Sequence, residues 1–297
     1  MKKILKNNLL YFIITAIFIF IFLFQVFDIK HEVIKNNYIK ENANRICQAV
    51  DKNHELCKAI NKEYKNKNAV YAGSTTVIFL KTMLFGNISI ENIFPIIIVV
   101  FSSIVLHGTI KNNISLFLLV RQSYKDFLFK SFKKIYKIVY CIPLALVFLA
   151  IVCFMTKDVS IAEQIELDVI GNVQHIKMGI VFCLIYAFNI FLLGIFIVNI
   201  VLIVGKSSLN LVITTIGSYL TFFILKIVIA QILPYFFFIF NRETTASNFL
   251  EINNFFGYDF GCEWWKMLGF ALTLVISSSL IVFKLYKSKE ELVISNA

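Results

Sequence analysis

No acidic residue interrupts any of the six long apolar runs in this sequence: all 18 Asp and Glu lie outside them. A carboxylate at membrane depth is the usual group that binds and releases a coupling proton or cation, so ion-coupled transport is disfavoured. Histidine is as sparse: His31, His54, His107 and His175 are scattered, with no H-E-x-x-H pair and no Cys/His cluster at metal spacing. That removes an intramembrane metalloprotease. No G-x-S-x-G nucleophile elbow occurs either. The stretch "GKSS" looks like the tail of a phosphate-binding loop, but that motif needs a Gly five residues before Gly205, and residue 200 is Ile. Gly205, Lys206, Ser207 and Ser208 therefore read as a tight turn after a span. The chain is expected to carry no catalytic, metal or cofactor site and no ATPase motif of its own.

Breakers are scarce as well, with 3 Pro and 11 Gly in 297 residues, while 59% of the chain is hydrophobic and 32 residues are Phe. A mean hydropathy of +0.78 is too apolar for a soluble domain of this size. A span needs about 20 apolar residues to cross roughly 30 Å of hydrocarbon. Runs near 9–27, 92–110, 138–156, 177–204, 209–234 and 266–286 satisfy that. Lipid offers no partner to unpaired backbone groups and the runs lack strand alternation, so each is expected to be a helix. The predicted fold class is all-α, a polytopic membrane protein with six transmembrane helices forming a single domain over 1–297. The first run follows "MKKILKNN" but has no small-residue cleavage site, and it reads as a retained span.

An even number of spans puts both termini on one side. Residues 1–8, 111–137, 205–208 and 284–297 carry fourteen Lys or Arg against three acids, whereas 157–176 and 235–265 carry two against eight. The positive-inside rule makes the first group cytoplasmic. Residues 28–91 hold ten further Lys or Arg, but outer segments of that length cross largely regardless of charge. The formal charge of +11 is spread among loops, which fits lipid headgroups better than nucleic acid.

The outer segment 28–91 places Ile34, Tyr38, Ile46, Val50, Cys57, Ile60 and Tyr64 at near-helical spacing, predicting an amphipathic helix or bent pair. Its part at 75–86, with Lys81 in the middle, is too short to cross and reads as re-entrant or interfacial. Cys47 and Cys57 could form a disulfide if the chain turns at "DKNH". Along one straight helix they would lie about 15 Å apart and could not. Cys141, Cys153 and Cys183 read as small apolar fillers within spans.

The densest positive charge lies in "LLVRQSYKDFLFKSFKKIYKIV", residues 118–139. Over 128–139 a helix would put Leu128, Phe132, Ile135 and Val139 on one face and Lys130, Lys133, Lys134 and Lys137 on the other. This is an interfacial helix leading into the third span. Basic juxtamembrane residues set topology without any partner. The wider stretch 107–134 adds more: Gly108, Thr109, Ile110, Lys111 and Asn112, then Arg121 and Ser123, then Lys130. It resembles the cytoplasmic loop between spans two and three of ATP-binding-cassette (ABC) transporter permeases of the type-2 exporter class. Ile104 departs from that pattern, standing where such permeases often have Glu.

The resemblance implies that 107–137 is a coupling loop docking on a separate cytoplasmic ABC ATPase subunit, which would hold ATP and Mg. Gly108, Lys111, Leu116, Phe117, Arg121, Ser123, Lys125 and Lys130 are the coupling candidates, with Leu116 to Leu119 as an apolar plug. It also implies a second permease subunit, identical or related, in a bacterial cytoplasmic membrane. The aromatic segment 235–265 is either an interfacial belt or an outer gate using Phe255, Phe256, Trp264 and Trp265. Lys226 either snorkels to the outer headgroups or lines a substrate path. Asn189, Asn199 and Gln231 read as interhelical glue. The expected cargo is amphiphilic or peptide-like, such as an antimicrobial peptide. The alternative is a non-transporting sensor or accessory protein that presents 28–91 to a partner.

Overall fold

The computed structural model describes residues 8–24, 26–27, 90–111, 123–155, 164–169, 172–177, 179–208, 210–229 and 264–287. The helices are α1 (Asn8–Phe24), α2 (Ile90–Thr109), α3 (Tyr124–Tyr136), α4 (Cys141–Met155), α5 (Gly179–Ser207), α6 (Leu211–Ile227) and α7 (Trp264–Leu285). Three apolar helical stretches are long enough to cross a membrane: Tyr124–Cys153, Leu184–Ser207 and Leu268–Leu285. Three shorter ones, Asn8–Phe24, Ile93–Thr109 and Leu211–Ile227, lie on the remaining apolar runs. The protein is thus a helical membrane protein.

One departure from all-helical structure begins at Gln164, within the stretch 157–176 that charge pattern alone suggests to be a loop. Strands β1 (Gln164–Val169) and β2 (Asn172–Lys177) pair antiparallel, Gln164 opposite Lys177 and Val169 opposite Asn172. The physical cue is the strict alternation of Ile165, Leu167 and Val169 with Glu166 and Asp168, the period of a strand.

The chain forms two compact units, one of Met1–Phe18, Ile90–Leu146 and Ala187–Ala297, the other of Ile19–Ser89 and Val147–Tyr186. In the second, Phe22, Val26, Leu149, Cys153 and Tyr186 are buried. The first is a helix bundle around α5. From Leu192 to Leu202 that helix is buried on nearly every side, as a helix apolar all round must be.

Two glycines let neighbours approach α5. A Cβ at Gly194 would meet Ile142 Cδ1 at 2.5 Å and Ile98 Cδ1 at 3.5 Å, and one at Gly205 would meet Leu106 Cδ2 at 2.2 Å. Ile98 faces Gly194 and Leu106 faces Gly205, so α2 runs parallel to α5. Thr214 lies beside Gly205 and Gly217 beside Val204, so α6 runs antiparallel to it. Asn199 bonds Ser278 and Lys206 bonds Leu285, which makes α7 parallel. Tyr136 meets Asn199 while Val139 and Ile142 meet Gly194, so the chain entering α4 runs antiparallel. At the far end of α2 the Phe18 ring packs on Phe94 at 5.4 Å, placing α1 antiparallel to α2. Six apolar helices therefore alternate in direction along the chain.

Gly205, Lys206 and Ser207 form the last turn of α5, which corrects the reading of 205–208 as a turn. Glycine is needed there for helix packing, not for a bend. The reversal follows the end of α5, and the Asn210 side chain caps α6 by accepting from Val212 N at 2.8 Å.

Candidate functional site: the basic end of the bundle

Helix α3 begins earlier than its apolar pattern predicts. Ser123 is its N-cap, in extended conformation (ψ 144°), with Oγ accepting from Asp126 N at 3.2 Å and donating to Asp126 Oδ2 at 2.6 Å. Asp126 in the first turn and Lys133 and Lys134 in the last suit the helix dipole. Its buried line is Phe127, Ser131 and Ile135; Leu128 and Phe132 are only half-buried. That shift from the expected face has a packing cause. The helix lies against α2, and Phe132 is engaged edge-on by Tyr286, just past the end of α7, at 5.2 Å between ring centroids.

Between α3 and α4 the bonding pattern tightens. The amides of Ile138, Val139, Tyr140, Cys141 and Ile142 donate to carbonyls three residues back, at 3.0 to 3.2 Å. A short 3₁₀ stretch inside a long helix is a common hinge signature. Tyr136, on its edge, donates to Asn199 Oδ1, and Asn199 Nδ2 donates to Ser278 Oγ at 2.8 Å and Ser279 Oγ at 3.0 Å. Asn199 is fully buried and joins three helices, as interhelical glue should. Asn189 is buried too, but its Oδ1 has no hydrogen-bond partner among the described residues.

At the end where α3 begins, side chains bind the carbonyls of neighbouring helix termini. Lys111 Nζ donates to the Lys206 carbonyl at 2.9 Å, and Lys206 Nζ to that of Leu285. The Tyr286 hydroxyl donates to the Leu202 carbonyl at 3.0 Å, and the Tyr124 hydroxyl to the Tyr286 carbonyl at 2.8 Å. Each bond satisfies a carbonyl that a helix terminus leaves without an intrahelical donor or that faces a neighbouring chain segment. α1 joins through the Tyr11 hydroxyl, which donates to the Lys134 carbonyl at 2.9 Å, and through Lys137, which donates to Asn8 Oδ1 and sits 4.6 Å from the Tyr11 ring centroid. Burial, and next the Lys206 ammonium, hold the Lys111 pKa below the ordinary lysine value.

The consequence is a gathering that charge alone could only suggest. The starts of α1, α3 and α6 and the ends of α2, α5 and α7 meet at one end of the bundle. Lys111, Lys125, Lys130, Lys133, Lys134, Lys137, Lys206, Lys284 and Lys287 lie there, and Asp126 is the sole acid among its described residues. Lys125, Lys130, Lys133 and Lys134 are exposed on the outer face of α3, with Phe129 among them, 70% exposed.

Sequence candidates divide accordingly. Lys111, Ser123, Lys125 and Lys130 are brought to this end, and Gly108 lies exposed in the last turn of α2 with open space where a Cβ would sit. Leu116, Phe117 and Arg121 fall outside the described residues, as do Cys47, Cys57, Phe255, Phe256, Gln231 and the segments 28–89 and 231–263. Trp264 and Trp265 open α7 and belong to its first turn. Lys226 is half-buried in the last turn of α6, so it sits at a helix C-terminus, where an ammonium suits the dipole. Cys141 and Cys153 are buried.

Sequence reasoning missed Tyr124, Tyr286, Phe129 and the His107–Thr214 contact. The available signal was tyrosine near the ends of apolar runs, an apolar body with a polar tip suited to an interface. Among the described residues no group of three or more His, Cys, Asp or Glu could hold a metal. No family model, curated protein or solved structure matches the chain.

Proposed function

We propose that this chain is the six-span permease subunit of an ATP-driven ABC exporter, with its termini and its basic end in the cytoplasm of a bacterial cell. The observation that carries the reading is the gathering of the 107–111 turn, α3, the α5–α6 reversal and the end of α7 at one lysine-rich end. Alternating helix directions support six crossings, and the lysines orient them by the positive-inside rule.

The coupling loop in this reading is 107–137. α3 is a stiff lever: capped at Ser123, braced by Tyr124 and Phe132 on Tyr286, and ending at Tyr136 beside the 3₁₀ stretch. Its exposed Lys125, Lys130 and Lys133 meet acidic groups on a cytoplasmic ATPase subunit, and complementary charge fixes the register of docking. Force applied to α3 passes through Tyr136 to Asn199 and so to α5 and α7, a packed network rather than a loose loop. ATP and Mg belong to the partner, and a second permease subunit completes the path. An amphiphilic or peptide-like cargo fits spans without carboxylates.

The test is a gentle detergent pull-down of the tagged full chain with an ATPase assay, comparing wild type with Arg121→Glu plus Lys125→Glu. Co-purified ATPase activity should fall at least tenfold in the variant at unchanged membrane insertion. No ATPase with the wild type, or binding that ignores the reversal, rejects coupling through this loop and favours an accessory protein that presents 28–91.

A further inference from the structure

Helices α2 and α6 meet at His107 and Thr214, whose Nε2 and Oγ1 are 2.8 Å apart. The single hydroxyl hydrogen of Thr214 goes to the Asn210 carbonyl at 3.0 Å, so His107 donates from Nε2 and Ser208 donates to Thr214 as well. This polar knot closes the basic end of the α2–α6 interface. The helices are antiparallel, so one turn further in from His107 and Thr214 lie Ser103 and Ser218, each four residues along and on the same face as its bonded neighbour. Both are 0% exposed, and neither hydroxyl has a hydrogen-bond partner among the described residues. Ser102, beside Ser103, is equally buried and, among the described residues, equally without one.

A serine within an apolar helix ordinarily returns its hydroxyl to the carbonyl one turn back, as Thr109, Thr215 and Thr221 do here. Ser103 and Ser218 do not. Two unpaired hydroxyls in one dry interface would each carry a desolvation cost far above the value of a typical hydrogen bond. A gap between two such serines would be lined by hydroxyls, and a polar gap of water size takes water.

We infer that Ser103 and Ser218 form a buried water-binding site between α2 and α6, closed toward the basic end by the His107–Thr214–Ser208 knot. One bridging water puts the two hydroxyl oxygens about two hydrogen-bond lengths apart, roughly 5.5 Å. Ser102 extends the polar strip toward α5, because it lies on the line Ile98, Ser102, Leu106 whose ends face Gly194 and Gly205. The water makes this interface a hydrated joint: its bonds can exchange with solvent when the knot opens, whereas the apolar contacts of α5 cannot. This site is independent of whether the chain transports anything.

The test compares Ser103→Ala, Ser218→Ala and the double variant by thermal unfolding of the purified full chain in detergent. A bridging water predicts that each single substitution lowers Tm by about 2–4 °C. The second should add little, because either one removes the same bridge. Additive changes, or a Tm that is unchanged or raised, reject the site, since removing an orphan hydroxyl from a dry interface relieves a cost. Hydroxyl-radical footprinting of the unmodified chain in ¹⁸O-labelled water needs no variant. Oxidation of Phe222, which flanks the seam and is 3% exposed, should exceed that of Phe196 on α5, 4% exposed, at least fivefold. Equal, slow oxidation of the two rings overturns the inference.

Discussion

Replacing Gly205 with alanine will destabilise the bundle by about 2 kcal/mol, within the range for overpacking a filled interface. A new Cβ would lie 2.2 Å from Leu106 Cδ2 and 3.2 Å from Thr214 Cγ2. Leu106 is itself 0% exposed, so its methyl can move only by displacing other packed side chains. The expected fall in Tm is roughly 5 °C at this chain length. Gly205→Ala combined with Leu106→Ala should lose less than the sum of the two single changes, because the smaller residue makes room for the added methyl. Gly108→Ala is the built-in control. Among the described residues nothing lies within 4 Å of its missing Cβ and it sits in a helix turn, so alanine there should be neutral or stabilising by up to about 1 kcal/mol. Equal losses at both glycines would mean that helix approach at Gly205 is not what selects glycine.

Asn199→Leu will produce the second large effect, a loss of about 2 kcal/mol despite a similar side-chain size. Ser278 keeps a local acceptor in the Val275 carbonyl at 3.1 Å, so it tolerates the change. Tyr136 has no such alternative in its immediate helix, and its hydroxyl is left in a largely buried place. Hydrogen bonds between membrane helices measure only about 0.6 kcal/mol on average, so most of the loss reflects the stranded tyrosine and not the bond itself. Tyr136→Phe combined with Asn199→Leu should therefore be less damaging than Asn199→Leu alone. Hydrogen exchange should quicken at the amides of 137–142 in Asn199→Leu, since the 3₁₀ stretch loses the anchor at its edge. Unchanged exchange there would separate Asn199 from the joint between α3 and α4.

Much of this arrangement can be read before any coordinates. Uniform apolarity dictates helices, because lipid leaves backbone groups no other partner, and Asn199 is recognisable as glue because a buried amide needs a donor and an acceptor nearby. The basic end is legible as charge. What is not legible is which face of α3 is buried: its lysines leave several registers open, and the choice is made by Tyr286 and α2, elements more than ten residues away. Gly205 misleads for a related reason. In sequence a Gly followed by Lys and Ser resembles a turn, whereas its packing role depends on Leu106, roughly a hundred residues earlier. The His107–Thr214 contact is equally non-local. The hairpin at 164–177 is overlooked because a short alternating stretch beside two long apolar runs is a weak signal next to a strong one.

The central claim is that the end of the bundle carrying α3 faces the cytoplasm, and sidedness of labelling tests it most directly. Lys133→Cys on α3 and Asn172→Cys at the hairpin, each in a chain lacking its native cysteines, are exposed to a membrane-impermeant maleimide in vesicles of both orientations. The account predicts that Lys133→Cys reacts only in inside-out vesicles and Asn172→Cys only in right-side-out ones. The reverse pattern, or both positions reacting from the same side, would contradict it and remove the basis for a cytoplasmic coupling loop.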